Sequence, residues 1–483
     1  MNKELPDQSL PNTSFPKIET AGVKTLLGEP KRAIIRLALP MIVAMSVQTI
    51  YNFVDAIWVS GLGADALSAV GFFFPFFFMT MAVATGIGLG GGSAISRRIG
   101  ARDKRGADNV AVHTVVIMFL AAILFTIPLF IFTERIFILL GAGRTIAMTV
   151  SYARIMFAGT LIIFFVNIAN AVLRSEGSVK RAMLAMVLGA VINIVLDPIF
   201  IYTFGLGVAG AAWATILSLF ITSLFLFNWL FFKKDSYVSF SFRKFRFNRE
   251  IVRDIIRVGL PASAQQLSMA FTMLVTNLIL VRVAGTDGVA IYVTGWRVVT
   301  IAILPLLGIA TAVVSVSAAA FGQGAFKKIN IAFMHALKVG VIIEVVAGIA
   351  IFFLAPQITA IFTRAQGASR IASDLIVFLR IMCFFYPAVA FGMFSSSMFQ
   401  GVGKGMNALI VTIIRTVILT LLFTALFAFV LGMGLMGVWF GIVIGNTIGS
   451  AVTFLWARAY IAKLATTMGK YEEDTLSSIG IVR

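Results

Sequence analysis

The chain has 483 residues, 60% of them apolar and only 12% charged, with 45 Phe and 42 Gly, a composition that excludes a soluble domain and fits a surface facing lipid. A net charge of +19 would suggest nucleic acid in a soluble protein, but here the basic residues cluster at the ends of apolar runs, where they set orientation, so no nucleic-acid partner is expected. One cysteine, Cys383, and two histidines, His113 and His335, rule out an internal disulfide and leave little room for a metal centre.

Residues 1–33 are polar, carry Pro6, Pro11, Pro16 and Pro30, and lack the apolar core of a cleaved signal, so a mobile tail is expected. A spanning helix takes about 20 mostly apolar residues. Twelve such runs follow: 34–60, 66–96, 110–133, 148–173, 182–204, 208–232, 255–283, 288–321, 329–355, 371–398, 404–431 and 434–461. Lipid cannot satisfy an open backbone, so an all-α polytopic membrane protein is predicted. The links alternate in charge. Arg97, Arg98, Arg102, Lys104 and Arg105 follow the second run, Arg174, Lys180 and Arg181 the fourth, and Lys233, Lys234, Arg243, Lys244, Arg246 and Arg249 the sixth; Gly61–Asp65, Thr203–Gly207 and Gly432–Gly434 carry no basic residue. The positive-inside rule puts the basic links and both termini in the cytoplasm, with 462–483 as a second tail. A plasma-membrane location is expected.

The chain repeats itself. Ile34-Ile35-Arg36-Leu37-Ala38-Leu39-Pro40 returns as Ile255-Ile256-Arg257-Val258-Gly259-Leu260-Pro261, and Gly205-x-Gly207-x-x-Gly210 as Gly432-x-Gly434-x-x-Gly437. His113 and Arg154 align with His335 and Arg380, the spacing staying between 221 and 227. Two six-helix lobes, 34–232 and 255–461, are therefore expected, joined by a basic linker at 233–254. Entering the membrane from the same side, they should be related by a pseudo-two-fold axis along its normal, with a cavity between them.

Charge inside the membrane is costly and points to function. Asp55 falls within the first run and Asp197 within the fifth, with Tyr51 and Asn193 each four residues earlier on the same helix face. Pro40 and Pro198 can bend those helices and free carbonyls beside the polar groups. An acid near a helix end can simply snorkel to the headgroups. Against that, the second-half counterparts of Asp55 and Asp197 are Thr276 and Phe423, whereas a residue needed for the shared fold should recur. Paired carboxyls in a low dielectric raise each other's proton affinity until a proton or cation relieves them. Asn170, Asn193 and Thr215 offer neutral oxygens to such an ion. Glu344 and Arg415 also lie mid-span and suit either a structural ion pair or a pathway role, while the recurring Arg154 and Arg380 read as architectural. The Gly86–Gly92 run reads as close helix contact, because no strand precedes it as a phosphate loop requires.

The stretch Leu173-Arg174-Ser175-Glu176-Gly177-Ser178-Val179-Lys180-Arg181-Ala182-Met183, continuing to Asn193-Ile194-Val195-Leu196-Asp197-Pro198-Ile199-Phe200, resembles the multidrug and toxic compound extrusion (MATE) family, and the likeness covers about residues 30 to 462. It is closest to the prokaryotic, DinF-like branch with its ion site in the N-terminal lobe. The resemblance implies a cation site of Asp55, Asn193, Asp197 and Thr215, with Gln48, Tyr51 and Asn170 around it, taking H+ or Na+ and needing no cofactor. It further implies a secondary antiporter, expected as a monomer, that exports amphiphilic, often cationic small molecules. Phe and Met in the cavity would suit varied substrates. A lipid-linked oligosaccharide flippase of the same superfamily should carry more cavity cations than Arg297 and Arg415. A membrane transferase should carry clustered acids for magnesium at a cytoplasmic edge, and none occurs there, Glu472-Glu473-Asp474 lying in the polar tail.

Overall fold

The computed structural model describes residues 20–233, 235–240, 245–363 and 369–478, with side chains described through residue 466. Ten helices are long and apolar enough to cross a membrane, and two bent pairs bring the number of spans among the described residues to twelve. We label them α1 (Pro30–Ser60), α2 (Ala64–Gly100), α3 (Lys104–Ile131), α4 (Ile146–Ala158 and Thr160–Ser175, bent by 48°), α5 (Val179–Thr203) and α6 (Gly207–Phe232). In the second lobe, α7 and α8 share the long helix Arg249–Ala302. About 80 Å would be far too long for one span. Gly285, at φ 63° and ψ −150°, breaks it into α7 (249–284) and α8 (286–322), the latter interrupted at Ile303. There follow α9 (Phe326–Phe362), α10 (Ala372–Met382 and Phe385–Gly401, bent by 50°), α11 (Gly405–Val430) and α12 (Gly434–Ser478).

The repeat is visible in the backbone. Gly63 turns α1 into α2 at φ 96°, as Gly285 turns α7 into α8, in a left-handed region that side chains disfavour. Two residues past each glycine an acid meets an arginine: Asp65–Arg144 at 2.7 Å and Asp287–Arg370 at 2.6 Å. Beyond Pro198, α5 enters a π turn at Ile199–Thr203, and α11 does the same at Leu426–Val430 without a proline. That widened turn belongs to the repeat rather than to Pro198. Helix α1 runs continuously through Pro40.

The lobes meet where small residues let backbones touch. A Cβ on Gly100 of α2 would lie 2.0 Å from the Ala319 carbonyl oxygen of α8, and one on Gly322 of α8 only 1.9 Å from that of Arg97 in α2. These contacts are exchanged by the 222-residue repeat, so the α2/α8 crossing lies on the pseudo-two-fold axis. In the glycine run, Gly86 and Gly90 face α7, while Gly88 and Gly92 face Ala171 of α4. Close helix contact is what the run provides. Hydrogen bonds tie the same seam. Ser93 Oγ donates to Gln400 O at 2.6 Å, and Arg97 pairs with Asp254 at 2.7 Å and donates to Gly401 O at 3.2 Å. All of this lies toward the basic links, so the seam is closed at that end.

The expected tails are partly ordered. Residues Ala21–Leu27 form a helix capped by Thr20, with Val23 and Leu26 buried, Gly22 against Gly177 of the α4–α5 link, and Leu27 O accepting from Lys328 Nζ at 3.2 Å. It bridges the two lobes at their closed end. Beyond 461, α12 continues as helix to Ser478. The linker is pinned as well, through buried Glu176, whose Oε2 accepts from Ser236 Oγ at 2.7 Å, Tyr237 N at 2.9 Å and Val238 N at 3.2 Å. His113 Nδ1 faces Asn109 O at 2.7 Å while Nε2 accepts from Asn248 N at 2.9 Å, so His113 is a structural pin.

Burial pushes the Glu176 carboxyl above the ordinary range, against the bonds from Ser236, Val238, Ser178 and Tyr237, which favour the ionised form. The folded state then holds the proton more tightly than the unfolded chain, so stability should fall as pH rises above the ordinary glutamate value. Glu176→Gln should flatten that slope in melting temperatures taken from about pH 4 to about pH 8. Parallel slopes for the two proteins would contradict the assignment.

Candidate functional site

The polar cluster of the N-lobe is built by three helices. From α1 come Tyr51 and Asp55, one turn apart; from α5 come Asn193 and Asp197 at the same spacing; from α6 comes Thr215. Asp55 and Asp197 approach one another from α1 and α5, close enough for their charges to interact. Two ionised carboxylates this close repel one another, and a proton or a cation between them relieves the conflict. Asp197 is fully buried and Asp55 half-buried.

Neutral groups hold the pair in place. In the amide orientation that satisfies both ends of Asn193, its Nδ2 donates to Asp197 Oδ2 at 2.9 Å and its Oδ1 accepts from Thr215 N at 3.2 Å. Tyr51 lies beside Thr215, whose hydroxyl donates to Ala211 O at 3.0 Å. Asp197 Oδ1 makes no hydrogen bond among the described residues, although it is buried. A buried carboxylate oxygen left open in this way fits a ligand that supplies positive charge. The surrounding set, made of carboxylate, amide and hydroxyl oxygens, suits a proton or a hard cation.

Of the seven predicted residues, Asp55, Asp197, Asn193, Thr215 and Tyr51 come together. Asn170, on α4, spends its Nδ2 on Val166 O at 2.9 Å and leaves a buried Oδ1 unbonded. Gln48 is half-buried about one turn below Tyr51 and makes no hydrogen bond to the pair. Tyr152 joins the site unforeseen. It lies on α4 within electrostatic reach of Asp55, Tyr51 and Asp197, its ring edge-on to Phe73 at 5.2 Å. Spacing within one helix could not have linked it to acids on two others. Beyond the site, Tyr202 of α5 donates to Trp58 O of α1 at 2.6 Å, tying together the two helix ends that lie away from the basic links.

The other mid-span charges stand apart. Glu344 is fully buried with neither oxygen hydrogen-bonded among the described residues, and Arg415 donates to Asn446 instead. No ion pair joins them. Arg154 pairs with Glu134 at 3.6 Å, whereas Arg380 stacks over Phe352 at 5.3 Å.

Comparison with known proteins gives a consistent picture. The family model described as MatE matches residues 40–199 and again 261–426, one match in each lobe. The multidrug export protein MepA of Staphylococcus aureus (strain N315) is 29% identical over 389 residues, covering 79% of this chain and 84% of that protein. A structure described as the outward-facing conformation of a multidrug resistance MATE family transporter of the MOP superfamily is 48% identical, with a TM-score of 0.90, over 92% of this chain and 99% of that one. Equal figures hold for a MOP superfamily transporter from Pyrococcus furiosus Vc1 (DSM3638), for which a reverse polarity of the binding pocket is said to suggest a different function.

Proposed function

The chain belongs to the MatE family of membrane transporters, and from that premise we propose that it exports amphiphilic small molecules in exchange for a proton or a sodium ion bound at Asp55 and Asp197. It is a multi-pass carrier and not an enzyme. One observation carries the coupling: the neighbouring acids Asp55 and Asp197 belong to the N-lobe alone, their counterparts being Thr276 and Phe423. A difference between lobes that share a fold marks chemistry rather than architecture. The multidrug names of the relatives support the class of substrate. A different function is suggested for the relative with a pocket of reversed polarity, and the N-lobe acids keep antiport as the reading here.

In this account the protein acts as a monomer in the plasma membrane with its basic links and termini in the cytoplasm. The seam closed toward those links is then an outward-open state. An ion arriving from outside neutralises the acids, repacks α1 against α5 and α6, and lowers the affinity of the cavity for its cargo. Rocking about the α2/α8 crossing then exposes the cavity inward. Each charge moved along the potential supplies about 2.3 kcal/mol per 100 mV. The test is efflux of a cationic dye from proteoliposomes under proton and sodium gradients imposed one at a time. Efflux should quicken under one of them, and equal rates with both gradients collapsed would overturn antiport.

A further inference from the structure

Arg415 lies deep in α11, inside a π stretch at Ile413–Leu419, and is only 5% exposed. A guanidinium stays charged in proteins and carries five donors in a planar fork. Here Nη1 donates to Asn446 Oδ1 at 3.2 Å. Among the described residues the guanidinium makes no other hydrogen bond, and no carboxylate lies within 4.0 Å of it. Burying an uncompensated cation costs several kcal/mol, which a purely structural role does not require.

The surroundings are shaped for it. A Cβ on Gly392 of α10 would lie 2.6 Å from Arg415 Cδ and 2.7 Å from Nε, and one on Gly449 of α12 would lie 2.7 Å from Arg415 Cα. Gly392 thus leaves room for the guanidinium, and Gly449 for the stretch of α11 that carries it. Asn446 gives its carbonyl to Arg415, so its Nδ2 is left without a partner among the described residues, as is the hydroxyl of Ser450. Asn446 and Ser450 are four residues apart on one face of α12 and are 2% and 1% exposed. The repeat adds an independent argument. At the same spacing the N-lobe has Gly189 for Arg415 and Leu219 for Asn446 but keeps a serine, Ser223, for Ser450, so the cation and its amide partner belong to one lobe only.

We propose that Arg415, Asn446 and Ser450 form a C-lobe subsite for the carboxylate of an amphiphilic zwitterion or anion. A fixed fork with an amide and a hydroxyl donor beside it matches a planar two-oxygen anion. The acid pair of the N-lobe then has a buried cation opposite it in the C-lobe, and the carrier can take cargo bearing both charges. The name substrate rests on the export reading. Binding is read without any ion gradient, so a failure of coupling and a failure of this subsite are told apart.

The experiment uses the purified full chain and two xanthene dyes with the same cationic ring, one with a free carboxylate and the other its ethyl ester, followed by fluorescence anisotropy at a pH where the acid is ionised. The wild type should bind the acid about ten-fold more tightly than the ester, as one charge-assisted contact provides. Arg415→Gln should erase the difference and leave the ester unchanged. Asn446→Asp, which keeps the guanidinium but gives it a carboxylate partner, should do the same without lowering the melting temperature. Equal binding of the two dyes by the wild type, or a preference that survives both variants, would overturn the proposal. So would a parallel loss of both dyes in both variants.

Discussion

Asp197→Asn should abolish gradient-driven efflux while leaving the protein folded. Asn has the shape of Asp but not its charge, and Asp197 is fully buried with one oxygen on Asn193 and the other unbonded. Removing a buried charge that lacks a cationic partner should keep or raise the melting temperature. Efflux under an imposed ion gradient should fall at least about ten-fold, since the differential interaction that moves the equilibrium is lost. Dye affinity without a gradient should fall, because the variant holds the site in its neutral form, and Asp55→Asn should behave alike. Thr276→Asp, which puts an acid at the corresponding place in the other lobe, should not restore coupling to either variant. Gradient-dependent efflux at the wild-type rate in both Asn variants would remove the acid pair from the mechanism.

The second large effect concerns the seam. Gly100→Ala and Gly322→Ala each push a methyl group into a carbonyl of the opposing helix, at 2.0 and 1.9 Å in the closed arrangement. Backbone on both sides cannot rotate away as a flexible side chain would. Overpacking of this kind costs about 1–3 kcal/mol, which biases the closed-to-open ratio by roughly 5- to 150-fold. Because the clash exists only where α2 meets α8, it should open the end toward the basic links and slow the cycle. Spin labels at Arg102 and Lys327, in a Cys383→Ser background, should report one short distance in the wild type and a longer population in both variants. Unchanged distances with normal efflux would mean that the seam does not move at this crossing.

The acids were legible because a carboxylate in an apolar run has few structural uses, and because each helix had a second copy in which the acid was missing. The twelve spans were legible for a similar reason, since lipid tolerates little but an apolar helix. What escaped was contact between helices distant in sequence. Tyr152 comes within electrostatic reach of the acids from a third helix, and no spacing rule reaches that far. The helix at Ala21–Leu27 has seven residues and two buried apolar side chains, too short a pattern to stand out from a polar tail. Glu344 and Arg415 have opposite charge and similar depth, yet each faces its own surroundings. Depth can be read from a sequence, but the direction of a side chain within a bundle depends on how the helices are rotated.

The central claim is that the N-lobe acids exchange an ion for cargo, and counterflow tests it most directly. Proteoliposomes holding the full chain are given a gradient of a cationic dye and no ion gradient, and proton or sodium movement is followed with an entrapped indicator or a radioactive tracer. The account predicts that one of these ions moves against the dye in the wild type and stays still in Asp55→Asn and Asp197→Asn. Ion counterflow undiminished in both variants would contradict it.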